Sequence, residues 1–193
     1  MDFSLFIQVI FLFLFCLVLA SLETQIEGAD GWAANLPTWK PAPSKWFSRL
    51  YGKIMGGRDL TLYHLLVFTL VLVFLHYPYF AGKTWNFTSE LTTFSFFFIV
   101  AIIWDFLWFV VNPKYDFGSF LGRHVLWHRK WLLHLPVDYW LALIISALLY
   151  ARFSFGLFKE WLAIIGIFFI LTVVVIIFAA FAGILRIKEE FKQ

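Results

Sequence analysis

Long, nearly uninterrupted apolar runs dominate the chain, and shorter polar segments separate them. Five runs approach or exceed the roughly 20 residues that an α-helix, rising about 1.5 Å per residue, needs to cross the hydrocarbon core of a bilayer. They predict transmembrane helices at residues 3–22, 60–80, 91–111, 136–153 and 157–187. The expected fold is therefore an all-α integral membrane bundle of five helices, in a single domain covering residues 1–193.

Polar and helix-breaking residues mark several ends of these predicted helices. Asp59 is placed to cap the second helix, Asn112 and Pro113 close the third, and Pro136 suits the first turn of the fourth. The fifth run is longer than a bilayer requires, so we expect that helix to tilt or to extend beyond the membrane. The first run lacks the positive flank of a signal peptide and carries Asp2 instead, which favours a membrane helix there.

One segment between the first two runs has a different periodicity. Apolar residues recur at helical spacing within residues 44–56, and Lys45, Arg49 and Lys53 follow one another four apart on the opposite side. Such a pattern is typical of an amphipathic helix that lies in the plane of the membrane surface. We expect it on the inner leaflet.

Lysine and arginine are distributed unevenly between the two sides of the predicted bundle. Of the 15, twelve fall in segments 23–59 and 112–135 or after residue 185, and only Lys83, Arg152 and Lys159 fall on the other side. Because cytoplasmic loops are enriched in these residues, the N-terminus is expected outside and the C-terminus inside. The net charge of +3 is small, and we predict no nucleic-acid partner.

Composition excludes a soluble protein and sites that need several cysteines. Hydrophobic residues make up 62% of the 193, a fraction that a soluble domain of this size cannot bury. The single cysteine, Cys16, excludes a disulfide within the chain and a metal site built on cysteines.

Ionisable residues converge on the predicted inner side. Glu23 and Glu27 are four apart after the first run, Asp105 lies about 10 Å inside the third helix, and the next loop carries His124 and His128 as H-x-x-x-H. An ionisable group within a membrane helix is costly unless it has a partner, so Asp105 is a functional candidate. Carboxylates and imidazoles are ligands of zinc and iron. We therefore predict a divalent metal site, zinc or iron, at the cytoplasmic interface, with these five residues as ligands.

Three further residues reach the same membrane face with a weaker case for ligation. His64 lies one turn into the second helix, His134 precedes the fourth, and Asp138 lies in the first turn of the fourth. Each also has a purely structural explanation, since a polar side chain can serve packing and a negative charge favours a helix N-terminus.

Tryptophan is concentrated on the inner side. Of the ten tryptophans, only Trp85 and Trp161 map to the outer side. An aromatic belt at the membrane surface explains this pattern, and so does a groove for a lipid or isoprenoid tail. The residues predicted to form such a groove are Trp32, Trp39, Trp127 and Trp131.

Two short motifs carry resemblances to known groups. The H-x-x-x-H pattern resembles the histidine boxes of membrane fatty-acid desaturases and hydroxylases, which implies a metalloenzyme acting on lipid. That family uses more histidines than the five present here, so carboxylates would have to replace some of them. The stretches EGADGWAANLPTW and WDFLWFVVNP are similar to segments of small uncharacterised prokaryotic multi-pass membrane proteins. This second resemblance implies the prokaryotic plasma membrane and no particular function.

Three functions remain open from the sequence. The first is a metal-binding membrane protein, extended to an enzyme if the metal acts on a lipid or another apolar substrate. The second is a non-catalytic subunit or scaffold that docks another membrane protein, with the polar cluster joining the helices. The third is a homo-oligomeric channel or transporter. Membrane lipids are expected partners in all three.

Overall fold

The structure, a computed structural model, describes residues 2–55, 57–125 and 127–187. In this part helices make up about two thirds of the chain, and a hairpin of two-residue strands provides the sheet. The elements in chain order are α1 (Phe3–Glu27), α2 (Trp46–Ile54), α3 (Leu62–Phe80), α4 (Phe87–Val111), α5 (Phe117–Leu121), β1 (Trp131–Leu132), β2 (Leu135–Pro136), α6 (Val137–Ala151) and α7 (Phe155–Phe181).

Four helices, α1, α3, α4 and α7, are long and apolar enough to cross a membrane, which indicates an integral membrane protein. The all-helical class predicted from the apolar runs is confirmed. Helix α6 is also apolar, but its 15 residues make it shorter than the other four.

The first three predicted membrane helices differ from the structure mainly at their ends. Helix α1 continues past residue 22 to Glu27, and α4 begins at Phe87 rather than 91 because Asn86 and Ser89 form a capping box. The predicted Asp59 cap is wrong. The side chain of Thr61 caps α3 instead, and the Asp59 carboxylate lies 3.5 Å from Lys40 Nζ.

The later helices are shorter than predicted. Pro136 precedes the first turn of α6 rather than lying in it, and that helix ends at Ala151. Helix α7 ends at Phe181 rather than 187, because Gly183 adopts a left-handed backbone and the next two amides bond back to Ala179. Arg186 then forms a parallel bridge with Asp116.

Two other predicted features are the amphipathic helix and the basic C-terminal end. Helix α2 lies within the predicted range 44–56, although Gly56 is outside the described residues. Lys188 and Lys192, which contributed to the predicted orientation, are outside them as well.

Helix α4 is the centre of the bundle and packs against α1, α3, α6 and α7. Its residues Val100, Leu107 and Val110 are completely buried, as is Cys16 on α1. Polar contacts also join the helices, since Ser146 of α6 lies 2.8 Å from the Ser95 hydroxyl and accepts a hydrogen bond from the Trp161 indole at 2.9 Å. These contacts fix the relative rotation of the helices and hence which polar side chains meet at their ends.

Helices α4 and α6 run antiparallel and are joined at both ends. The Tyr139 hydroxyl at the start of α6 donates to Asp105 near the end of α4. At the far end, the guanidinium of Arg152 donates to the Thr92 hydroxyl at 3.1 Å.

Asn112 after α4 donates to the Gly28 carbonyl after α1 at 2.7 Å, and Tyr63 of α3 donates to Glu23 of α1 at 3.3 Å. The ends of α1 and α4 and the starts of α3 and α6 therefore lie on one side of the bundle.

Candidate metal centre

Two carboxylates and an imidazole meet where α1 ends and α3 begins. One ligand atom from each of Glu23, Glu27 and His64 lies within 4.8 Å of the others, and all three residues are buried. The continuation of α1 to Glu27 places both carboxylates on one helix face, because residues four apart are neighbours there. His64 Nε2 lies 3.6 Å from Glu27 Oε1.

Thr61 orients the His64 ring. Its hydroxyl oxygen accepts the backbone N–H of His64 at 3.1 Å and lies 2.7 Å from Nδ1 of the same residue. When the ring carries its proton on Nδ1, it donates to Thr61 and leaves the Nε2 lone pair facing the carboxylates. Trp32 stacks on the ring with centroids 4.4 Å apart, which restricts its rotation further. This is the support that metal-ligating histidines usually have.

The two carboxylates are held by neutral donors. The backbone N–H of Ala33 donates to Glu27 Oε1 at 2.5 Å, and the Tyr63 hydroxyl donates to Glu23 Oε1 at 3.3 Å. In the described part of the chain, no lysine or arginine forms an ion pair with Glu23 or Glu27. Two neighbouring buried carboxylates require compensation of their charge, either by a proton or by a cation.

A cavity of about 50 Å³ adjoins these side chains. This volume is sufficient for an ion with one coordinated water molecule. The buried indole N–H groups of Trp108 and Trp127, which also line the cavity, have no hydrogen-bond acceptor among the described residues. The walls of the cavity include Glu23, Glu27, His64, Asp105, Trp32 and Trp127.

Gly31 allows the loop after α1 to close this cavity. Its backbone φ of +62° is unfavourable for residues with a side chain. A Cβ at this position would come within 2.5 Å of the Trp127 ring, and it would also crowd Trp108. Glycine is therefore required both by the backbone conformation and by the approach of the tryptophans.

His128 is clamped between two carboxylates on the other side of Asp105. Its Nε2 lies 3.0 Å from Asp105 Oδ2, and its Nδ1 lies 2.9 Å from Asp138 Oδ2. Burial disfavours the charged ring, but the two carboxylates outweigh burial and raise the pKa of His128 to about 9. Both ring nitrogens then carry protons, so the geometry gives His128 no lone pair for a metal. The prediction that His128 is a ligand is not favoured by this arrangement.

The remaining predicted ligands lie apart from the three-residue group. Asp105 lines the cavity, but its Oδ2 is engaged by His128 and Tyr139. His124 is exposed and lies outside the helices, so His124 and His128 do not share a helix face. His134 lies in the β1–β2 turn, where its Nδ1 accepts a hydrogen bond from Arg123 at 3.1 Å.

The predicted tryptophan groove is only partly assembled. Trp32 and Trp127 line the cavity. The indole of Trp131 instead donates to the backbone carbonyl of His128 at 3.0 Å. Trp39 is 59% exposed. Two of the four therefore form a wall beside the carboxylates.

Sequence reasoning missed Thr61, Tyr63 and Tyr139, which hold the acidic and imidazole groups in place. A threonine three residues before His64 is the usual signal of a helix N-cap, and it could have identified Thr61. The tyrosines have no comparable local signal, because their partners are distant in the sequence.

Comparisons with family models, with curated proteins and with solved structures find no match for this chain. The two resemblances noted from short motifs therefore stay expectations.

Proposed function

We propose that this integral membrane protein binds a divalent cation, zinc or iron, through Glu23, Glu27 and His64. The observation that carries the proposal is the meeting of three buried ligand atoms, from two helices, within 4.8 Å of one another. A divalent ion would offset both carboxylate charges, for which the described residues offer no lysine or arginine partner. Three protein ligands also leave a position for water, as in catalytic zinc sites.

Asp105 has a different role from the three ligands in this proposal. It lines the cavity and is hydrogen-bonded through His128 to Asp138, whose side chain is 59% exposed. The chain of contacts gives protons a path between the protein surface and the cavity wall. A bound metal would polarise a water molecule beside it. The enzymatic extension of the proposal is that this water would hydrolyse a bond of a lipid or another apolar substrate, with its hydroxyl going to one product and its remaining proton to the other.

The proposed topology has five crossing helices, with the N-terminus outside, the C-terminus inside, and the prokaryotic plasma membrane as the location. The contacts that join α6 to both ends of α4 support α6 as the fifth crossing helix. The excess of lysine and arginine on the side of the carboxylate cavity supports a cytoplasmic position for the metal site.

Metal analysis with a matched carboxylate variant tests the proposal. The purified protein is stripped with a chelator, reloaded with Zn²⁺ or Fe²⁺, and assayed for bound metal and affinity. We expect one bound ion per chain, and a loss of affinity of more than about 100-fold in Glu27→Gln, because even supporting residues around metal sites contribute 10–100-fold.

Glu90→Gln is the control, because Glu90 also pairs with a histidine, His76, at 2.9 Å, but lies near the opposite end of the bundle. Its affinity should match that of the unmodified protein. Absence of bound metal, or equal affinity in the Glu27 and Glu90 variants, would contradict the proposal. The cluster would then be structural, as the scaffold function requires.

A further inference from the structure

Arg58 lies over one wall of the carboxylate cavity, and Arg129 lies against its neighbour Gly57. Arg58 Cζ is 5.9 Å from the centroid of the Trp127 ring, which lines that cavity. Arg129 follows His128 in the chain, and its guanidinium lies against the backbone of Gly57, where a Cβ would collide with it. Residues from two distant segments, 57–58 and 127–129, are therefore brought together around one tryptophan.

The positive charges of the Arg58 and Arg129 guanidinium groups repel each other. Burial and the neighbouring charge of Arg129 lower the pKa of Arg58, and Asp59 opposes this change. Asp59 itself is engaged with Lys40 at 3.5 Å. Within residues 2–55, 57–125 and 127–187, neither arginine forms an ion pair with a carboxylate. Like charges held near each other, here with Arg58 half-buried and Arg129 exposed, favour an anion that contacts both.

We propose that Arg58 and Arg129 bind a phosphate group, presented by the head of a membrane lipid. The planar guanidinium donates in pairs to phosphate oxygens, and two of them around one phosphate offset its charge. Arg58 follows the amphipathic helix α2 and precedes the apolar helix α3, and the Arg129 guanidinium lies against Gly57 in the same connection. This is the level at which lipid heads are expected. The proposal goes beyond the metal site and does not require a bound metal.

Binding of a phosphate-bearing lipid in the presence of a chelator tests this proposal separately from the metal. Phosphatidate is titrated into the detergent-solubilised protein, with phosphatidylcholine and inorganic phosphate titrated in parallel. In Arg58→Gln/Arg129→Gln we expect phosphatidate affinity to fall at least tenfold, because two charge-assisted contacts are removed.

Lys45→Gln/Lys53→Gln is the matched control, because it removes the same charge from exposed positions of the neighbouring helix segment. Its affinity should change by less than about twofold, as expected for exposed charges. If both double variants lose affinity equally, or neither loses it, the arginine site is refuted.

Arg58→Lys/Arg129→Lys keeps the charge and covers the case in which the glutamine variant does not fold. It should bind phosphatidate more weakly than the unmodified protein, because lysine cannot donate in pairs. Affinity equal to that of the unmodified protein would overturn the paired recognition. If millimolar inorganic phosphate displaces the lipid, free phosphate is a source of the bound phosphate group. If the lipid resists displacement, the lipid head is the source.

Discussion

The clamp around His128 makes stability depend on pH in a defined direction. The ring is almost fully buried, and its pKa is raised from the ordinary 6.5 to about 9 by Asp105 and Asp138. A group whose pKa is higher in the folded state stabilises that state below its unfolded pKa. This stabilisation is therefore complete below about pH 6.5 and is lost as the pH rises through about 9.

The interval between these two pKa values corresponds to about 3 kcal/mol in the free energy of unfolding. The two carboxylates do not contribute equally to the raised pKa of His128. The Asp138 side chain is 59% exposed, so water screens its charge, whereas Asp105 is 32% exposed. We expect Asp105→Asn to lower the pKa of His128 further than Asp138→Asn does. Tyr139, the other titratable side chain against the ring, is unchanged in both variants.

Unfolding in mixed micelles between pH 6 and pH 9.5 measures the effect, with His128→Gln as the reference. The unmodified protein should lose about 3 kcal/mol more than the variant over this range. Nitrogen-15 spectra of the histidine side chain would give the pKa directly. An identical pH dependence in the two proteins, or a His128 pKa near 6.5, would refute the reasoning.

Two other substitutions test the supports of the site. Thr61→Val should lower metal affinity about tenfold, because the His64 ring loses its orienting hydroxyl. Thr69→Val, on an exposed part of the same helix, should leave the affinity unchanged in the same titration. Gly57→Ala should lower the free energy of unfolding by about 1–2 kcal/mol, because φ is +91° and the Arg129 guanidinium occupies the space of a Cβ. At Gly166 a Cβ would meet open space and φ is not positive, so Gly166→Ala should not lower the free energy of unfolding. Unfolding of both variants under one condition measures the difference.

The membrane helices could be predicted because their signal is local. A long apolar run is sufficient to predict a membrane helix, and Asn112 with Pro113 fixes the end of α4 as predicted. The starts were less accurate because they depend on which side chain caps the helix. Thr61 rather than Asp59 does so for α3, and this choice moves the first turn that carries His64.

The grouping of site residues could not be read from spacing alone. His124 and His128 have helical spacing, but the left-handed backbone of Arg123 follows the end of α5, and neither histidine lies in a helix. The β1–β2 turn places Leu133 and His134 in left-handed conformations that their residue types do not predict. Which imidazole reaches Glu23 and Glu27 depends on how α1 and α3 are rotated against α4, and only the packed bundle determines that.

The identity of the ligating histidine tests the central claim most directly. X-ray absorption of the Zn²⁺-loaded protein, with matched affinity titrations, is measured for His64→Gln, His124→Gln and His128→Gln. We expect the imidazole signal and the affinity to be lost in the His64 variant and retained in the other two. In the described part of the chain, only the His64 ring adjoins the two glutamates with a nitrogen free for ligation. Retention of both in His64→Gln, together with their loss in His124→Gln or His128→Gln, would contradict the proposed site.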